Sequence, residues 1–111
     1  MSLSVLNFQR PQVPEIEAES GALMCPNCGC NNLHHNGVRY FERGEDAPQV
    51  DVIEINNGQV LEYTTKNAYA GNPSGRRGGM FIVFTCEQCD GAKFLAIAQH
   101  KGTTYVEWVA K

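Results

Sequence analysis

A chain of 111 residues, 42% apolar and 19% charged, has the length and composition of one globular domain. Its formal net charge of −3 argues against a strongly basic protein that coats nucleic acid regardless of sequence. No apolar run is long enough to span a membrane or to direct export, so we expect a cytoplasmic protein without a membrane partner.

The N-terminal residues 1–20 differ in composition from the rest of the chain. They combine prolines and glutamates with few apolar side chains. Such a segment cannot bury enough apolar surface to fold by itself. We therefore predict an extended, poorly ordered, acidic arm over residues 1–20 and a single folded domain over residues 21–111.

Two CxxC motifs lie about half the chain apart, Cys25-Pro26-Asn27-Cys28 and Cys86-Glu87-Gln88-Cys89. Two residues between the sulfurs let one tight turn present both to the same metal, and two such pairs complete a tetrahedron. Gly29 and Gly91 follow the motifs, where the backbone can need a positive φ. The pattern predicts one structural Zn²⁺ per chain, with four ligands: Cys25, Cys28, Cys86 and Cys89.

Iron accepts the same four ligands and is the main alternative metal. A four-cysteine set leaves no open coordination position, so zinc bound there cannot activate a water molecule. We therefore expect the metal to stabilise the fold, and we expect neither an enzyme nor a small-molecule substrate.

Three further residues near the first motif could have a chemical role of their own. Cys30 is expected to be a spare flanking thiol, with a fifth, exchanging ligand or a reactive thiol as the alternatives. His34 and His35, followed by asparagine, suggest a remote alternative, a zinc-stapled nuclease. Such a site needs a helix bearing a further histidine or asparagine, and no helical period is visible. A polar turn is the favoured interpretation of this segment.

The remaining signals are almost all β. Alternating or continuous apolar runs predict strands over residues 38–43, 50–55, 59–65, 80–85, 93–100 and 103–109. Asn57-Gly58 between the second and third runs predicts a tight hairpin. We expect Ile53, Ile55, Leu61 and Tyr63 to share one face of it and to cover apolar surface. The fold class is mostly β, with little or no helix and with residues 38–65 as a β-hairpin inserted between the CxxC motifs.

Residues 66–79 form a loop rich in glycine, asparagine and proline, in which Arg76 and Arg77 stand next to each other. Guanidinium groups on a loop suit anionic partners, and Lys93 and Lys101 extend the patch if they lie nearby. This predicts a binding module for nucleic acid or for a nucleic-acid-processing protein. The alternative is a protein-interaction or self-associating scaffold that uses the acidic hairpin and the edge strands.

The two CxxC motifs and the strands beside them resemble the zinc-ribbon (rubredoxin-like) class over residues 23–30 and 80–108. This resemblance implies that each motif sits at the end of a β-hairpin and that the metal joins the two. A weaker resemblance is to small uncharacterised zinc-ribbon proteins of bacteriophages and prophages. It is carried by Gly71-Asn72-Pro73-Ser74, Arg76-Arg77, residues 95–102 and Trp108. It implies a cytoplasmic accessory protein in a bacterial host, without an assigned activity.

Overall fold

The computed structural model describes residues 13–109, so most of the predicted N-terminal arm lies outside the described residues. The strands are β1 (Leu33–Glu42), β2 (Gln49–Asn56), β3 (Gln59–Lys66), β4 (Gly79–Cys86), β5 (Ala92–His100) and β6 (Thr103–Val109). They form one antiparallel sheet in the order β3-β2-β1-β4-β5-β6. A single helical turn, α1 (Asn67–Ala70), follows β3. The mostly β fold class is confirmed, and residues 13–109 contain no helix of the length and apolarity needed to cross a membrane.

The β2–β3 hairpin turns at Asn57-Gly58 as predicted, with φ values of 51° and 75°. A two-residue turn whose twist matches that of the strands requires positive φ at both of its residues. The turn pairs Ile55 with Val60 and Val52 with Tyr63. Because directly paired residues share a face, the predicted grouping is wrong: Ile53 and Ile55 lie on the face opposite to Leu61 and Tyr63.

The centre of the sheet is the pairing of β1 with β4, from Leu33 opposite Cys86 to Phe41 opposite Gly79. β1 begins at Leu33, so the polar turn expected at His34 and His35 is wrong. These polar residues are extended because pairing with the apolar strand β4 supplies the stability that their own sequence lacks. β1 is therefore a central strand, and the projecting hairpin consists of β2 and β3.

One face of the sheet, which we call the covered face, carries the hydrophobic core. Its buried members are Phe41, Val50, Val52, Phe81, Ala96 and Val109. Phe41 and Phe81 meet edge to face with ring centroids 6.0 Å apart. The α1 turn packs against this cluster through Ala70, and the loop of residues 71–78 continues across the same face.

Asn72 and Ser74 explain why this loop lies flat on the sheet. Both are buried, and both have their polar atoms satisfied. The Asn72 amide donates to the Arg77 carbonyl at 2.8 Å, and the Ser74 hydroxyl accepts from the Gln99 backbone amide at 2.9 Å. A Cβ on Gly79 would stand 2.8 Å from Pro73 Cγ, so only glycine lets the loop approach β4 this closely.

The opposite face carries a band of apolar residues that crosses all six strands, which we call the apolar stripe. Its first row consists of cross-strand neighbours, in the order Val60, Ile55, Val38, Ile82, Leu95 and Trp108. A second row runs beside it through Ile53, Tyr40, Met80, Ile97 and Val106. The stripe is buried at Leu95 and Trp108 but becomes exposed toward the hairpin, where Ile55 is 45% and Val60 62% exposed.

Candidate metal centre

The pairing of β1 with β4 brings the two CxxC motifs together. The first motif precedes β1, and the second begins at the last residue of β4, which lies opposite Leu33, the first residue of β1. A backbone hydrogen bond from the Glu87 amide to the Asn32 carbonyl, 3.1 Å long, joins the two turns directly. The sheet register therefore determines that the motifs meet at one end of the molecule.

The sulfur positions match a tetrahedral site. The Sγ atoms of all four predicted ligands lie within 4.8 Å of one another. Cys25 Sγ is 3.7 Å from Cys89 Sγ, and Cys28 Sγ is 3.6 Å from Cys86 Sγ. Sulfurs placed about 2.3 Å from a zinc ion have tetrahedral edges of about 3.8 Å. The four cysteines thus form a metal-binding cluster consistent with a zinc-ribbon-like site, and their thiolates suit zinc or iron.

Both CxxC turns use the same backbone geometry. The Asn27 amide donates to Cys25 Sγ and the Gln88 amide donates to Cys86 Sγ, each at 3.4 Å. Gly29 and Gly91 have φ values of 78° and 91°, as their positions in the sequence predict. Amide donors directed at sulfur stabilise the thiolate form, so the turns prepare the ligands as well as position them.

The side chain of Lys93 is buried and stabilises the turn that follows the second CxxC motif. This side chain is only 4% exposed, and its ammonium donates to the carbonyls of Asp90 at 2.6 Å and Gly91 at 2.9 Å. A buried ammonium needs such acceptors, and these two come from the turn that follows the second CxxC motif. The sequence singled out this lysine for anion binding and gave no signal of a role next to the metal site.

The free thiols differ strongly in acidity. Desolvation opposes ionisation of Cys86, but hydrogen bonds from the Cys30 thiol and the Gln88 amide outweigh it and lower the pKa of Cys86 to about 6. Desolvation and the neighbouring thiols raise the pKa of Cys89 to about 12. A metal must therefore displace a proton from Cys89 at any physiological pH.

This difference predicts a steep pH dependence of metal binding. Protons compete with zinc for Cys89, so the affinity should rise at least tenfold for each pH unit between 6 and 8. Protonation of Cys86 near its pKa of about 6 should make the fall at the acidic end steeper. Competition with a chromophoric chelator, corrected for the chelator's own protonation, measures this slope. An affinity that stays constant over the range would contradict the prediction.

Cys30 lies beside the cluster. Its Sγ is 3.2 Å from Cys86 Sγ. The Asn32 amide acts to lower the pKa of Cys30, but the adjacent thiols and desolvation outweigh it and raise this pKa to about 11. The Cys30 carbonyl accepts a 2.7 Å hydrogen bond from the Cys25 amide, which closes the first turn. The sequence expectation of a spare thiol did not include the contact between Cys30 and Cys86, because that contact depends on the pairing of β1 with β4.

The histidines do not form a common site. His34 Nε2 makes an exposed hydrogen bond with the carboxylate of Glu87 in the second CxxC motif. His100 ends β5 at the opposite end of the sheet, since β5 starts beside the metal cluster at Ala92. The expectation that the protein is not an enzyme stays a prediction.

The four basic residues proposed for anion binding do not lie together. Arg76 and Arg77 lie in the loop before β4, at the end of the sheet opposite to the metal cluster. Lys101 lies at the same end, in the β5–β6 turn, about 26 Å along β5 from Lys93. Lys93 therefore cannot extend a patch formed by the two arginines.

The two arginines are already paired within the molecule. Arg76 Nε lies 3.0 Å from Asp46 Oδ1, and its Nη2 contacts both Asp46 and Glu45. Arg77 Nη2 lies 2.9 Å from Glu45 Oε1. Hydrogen bonds from Arg76 also hold the pKa of Asp46 below its usual value. These pairs attach the loop of residues 71–78 to the β1–β2 loop, a contact between segments 30 residues apart that sequence reasoning missed.

Comparison with protein-family models, with curated proteins and with solved structures gives no match for this chain.

Proposed function

We propose that this protein is a zinc-stabilised protein-binding module, in which the β2–β3 side of the sheet receives an extended segment of another protein. One observation carries the proposal: the exposed end of the apolar stripe, at Val60 and Ile55, meets a strand edge that no other strand of residues 13–109 covers. The zinc ion has a structural role, because four cysteines fill its coordination shell.

The edge strand β3 has the properties of a strand-addition site. It pairs only with β2 within residues 13–109, so alternate backbone amides and carbonyls point away from the sheet. All but one of its eight residues are exposed, and it contains no proline. Proteins commonly protect such edges, and an exposed edge of this length without proline is suited to pair with a peptide strand.

The charges beside the stripe indicate the kind of partner. Glu42 and Asp51 are directly paired across β1 and β2, and Glu62 lies on the same face. Like charges placed opposite each other destabilise a sheet, so a cation that binds there relieves their repulsion. We therefore infer a partner strand that carries apolar side chains for the stripe and lysine or arginine for this acidic corner.

A nucleic-acid role stays a prediction that the geometry does not favour. Arg76 and Arg77 would have to leave their carboxylate partners to bind phosphates, and Lys93 is buried. Tight binding of a single-stranded DNA oligonucleotide would favour that role over the present proposal, provided that it weakens with salt and is lost in the Arg76→Ala/Arg77→Ala variant.

The test is a selection from a displayed library of ten-residue peptides. We expect enrichment of sequences that alternate apolar residues with lysine, arginine or threonine. In solution, a selected peptide should lose at least about tenfold in affinity against Val60→Lys, because a charge would enter the exposed end of the stripe. The matched control is Tyr69→Lys in α1, where the side chain is 77% exposed and outside the sheet, and this variant should bind as the parent does.

Two results would contradict the proposal. The first is a selection that yields no peptide with measurable affinity. The second is a set of binders that are equally sensitive to Val60→Lys and to Tyr69→Lys. Light scattering on the same proteins distinguishes a partner strand from self-association, since a dimer through β3 should dissociate in Val60→Lys.

A further inference from the structure

Cys30 lies next to one particular edge of the sulfur tetrahedron. Its Sγ is 3.2 Å from that of Cys86, and its thiol also interacts with that of Cys28. These two cysteines form the Cys28–Cys86 edge, 3.6 Å long. The sulfur of Cys30 therefore lies close to a position in which it could bind the metal.

Cys28 is the ligand that Cys30 can replace with the least movement. A ligand in the Cys28 position must lie about 3.8 Å from Cys86 Sγ, and Cys30 Sγ is within about 0.6 Å of that separation. Cys28 is the exposed member of the set, whereas Cys25 is buried. Cys28 and Cys30 also belong to the same turn, which the hydrogen bond from the Cys25 amide to the Cys30 carbonyl closes.

We propose that Cys30 is a reserve metal ligand, which exchanges with Cys28 so that the site has two alternative sets of four thiolates. The exchange involves no electron transfer. The Cys30 thiol releases its proton to water as its sulfur binds the zinc ion, and the departing Cys28 thiolate takes up a proton. The two sulfurs alternate and do not bind together, because Cys25, Cys86 and Cys89 fill three of the four tetrahedral positions and leave one.

Cysteine-to-serine variants test the exchange through zinc affinity, measured by chelator competition on the full chain. Cys28→Ser should bind one zinc ion with an affinity within about tenfold of the parent, because Cys30 completes the site. Cys28→Ser/Cys30→Ser should bind at least about 100-fold more weakly, since the loss of a direct ligand exceeds the effect known for outer groups. Cys89→Ser is the matched comparison. The sulfur neighbours of Cys89 are Cys25, Cys28 and Cys86, so it has no reserve and should lose as much as the double variant.

Cobalt reports the identity of the ligands independently of affinity. Cobalt-loaded Cys28→Ser should keep the thiolate-to-metal charge-transfer intensity of four sulfurs. A charge-transfer intensity typical of only three bound sulfurs would overturn the proposal. A zinc affinity of Cys28→Ser as low as that of the double variant would overturn it too.

A measurement on the unaltered protein removes any dependence on how the variants fold. Brief alkylation of the zinc-loaded chain, followed by peptide mapping, should label Cys28 and Cys30 to similar extents and leave the other three cysteines protected. Labelling confined to Cys30, with Cys28 as protected as Cys25, would show that no exchange occurs and would refute the reserve role.

Discussion

Chelation of the metal should lower the free energy of unfolding by about 4 kcal/mol at a free zinc concentration a thousandfold above the Kd. Zinc binds the folded chain because only there do sulfurs from residues 58 to 64 positions apart stand within 3.7 Å of each other. Urea unfolding followed by circular dichroism, with zinc and then with excess chelator, measures the difference. The core at Phe41 remains without metal, so we expect a weakened fold and not a fully unfolded chain.

Cys89→Ser provides the control for this experiment. This variant lacks one of the four ligands, so its unfolding midpoint should already be low and should respond little to the chelator. Equal midpoints for the parent protein in zinc and in chelator would show that the four-cysteine cluster contributes no stability, and the structural role of the metal would then be wrong.

Replacing Gly78 with alanine should destabilise the protein by ~1–3 kcal/mol, the range for a group forced into a packed interior. A Cβ at this position would overlap the carbonyl oxygen of Phe41 and stand 3.3 Å from the backbone nitrogen of Arg43. Both neighbours are backbone atoms, in the last turn-side residues of β1 or directly after it, so neither can move without shifting this central strand. The loop of residues 71–78 would have to lift from the covered face.

Gly75→Ala is the matched substitution in the same loop. A Cβ at Gly75 meets nothing within 4 Å, and its φ does not lie in the left-handed region. This variant should therefore be as stable as the parent or slightly more stable, because alanine restricts the unfolded chain. Thermal unfolding of the two variants side by side measures the contrast, and equal Tm values would mean that the close approach of Gly78 to Phe41 is not important.

Local signals in the sequence were sufficient for the four-cysteine cluster, the mostly β class and the Asn57-Gly58 turn. Each depends on residues adjacent in the chain, such as two cysteines in one turn or a glycine that supplies positive φ. The error in the faces of the β2–β3 hairpin was avoidable. A two-residue turn pairs Ile55 with Val60, so odd-numbered residues of β2 share a face with even-numbered residues of β3.

What the sequence missed are contacts between distant segments, which a single sequence does not contain. His34 and His35 look like a turn until β4 pairs with them. Arg76 looks available for an anion until the β1–β2 loop brings Asp46 to it. In the sequence Lys93 resembles any surface lysine. Only the folded turn after Cys89 shows that the ammonium of Lys93 is buried and donates to two backbone carbonyls. In each case the residue type indicated which interactions the side chain could make, and the tertiary contacts determined which of them it makes.

The strand order has a consequence for how the chain folds. It consists of two local meanders, β1 to β3 and β4 to β6, which join only where β1 pairs with β4. Each meander carries one CxxC motif at that junction. The contact between Cys28 and Cys86 at this junction closes a loop of 58 residues, with an entropic cost of about 4 kcal/mol. Because zinc binds only where the two motifs have met, we expect it to stabilise the junction between the two halves of the sheet once they have joined.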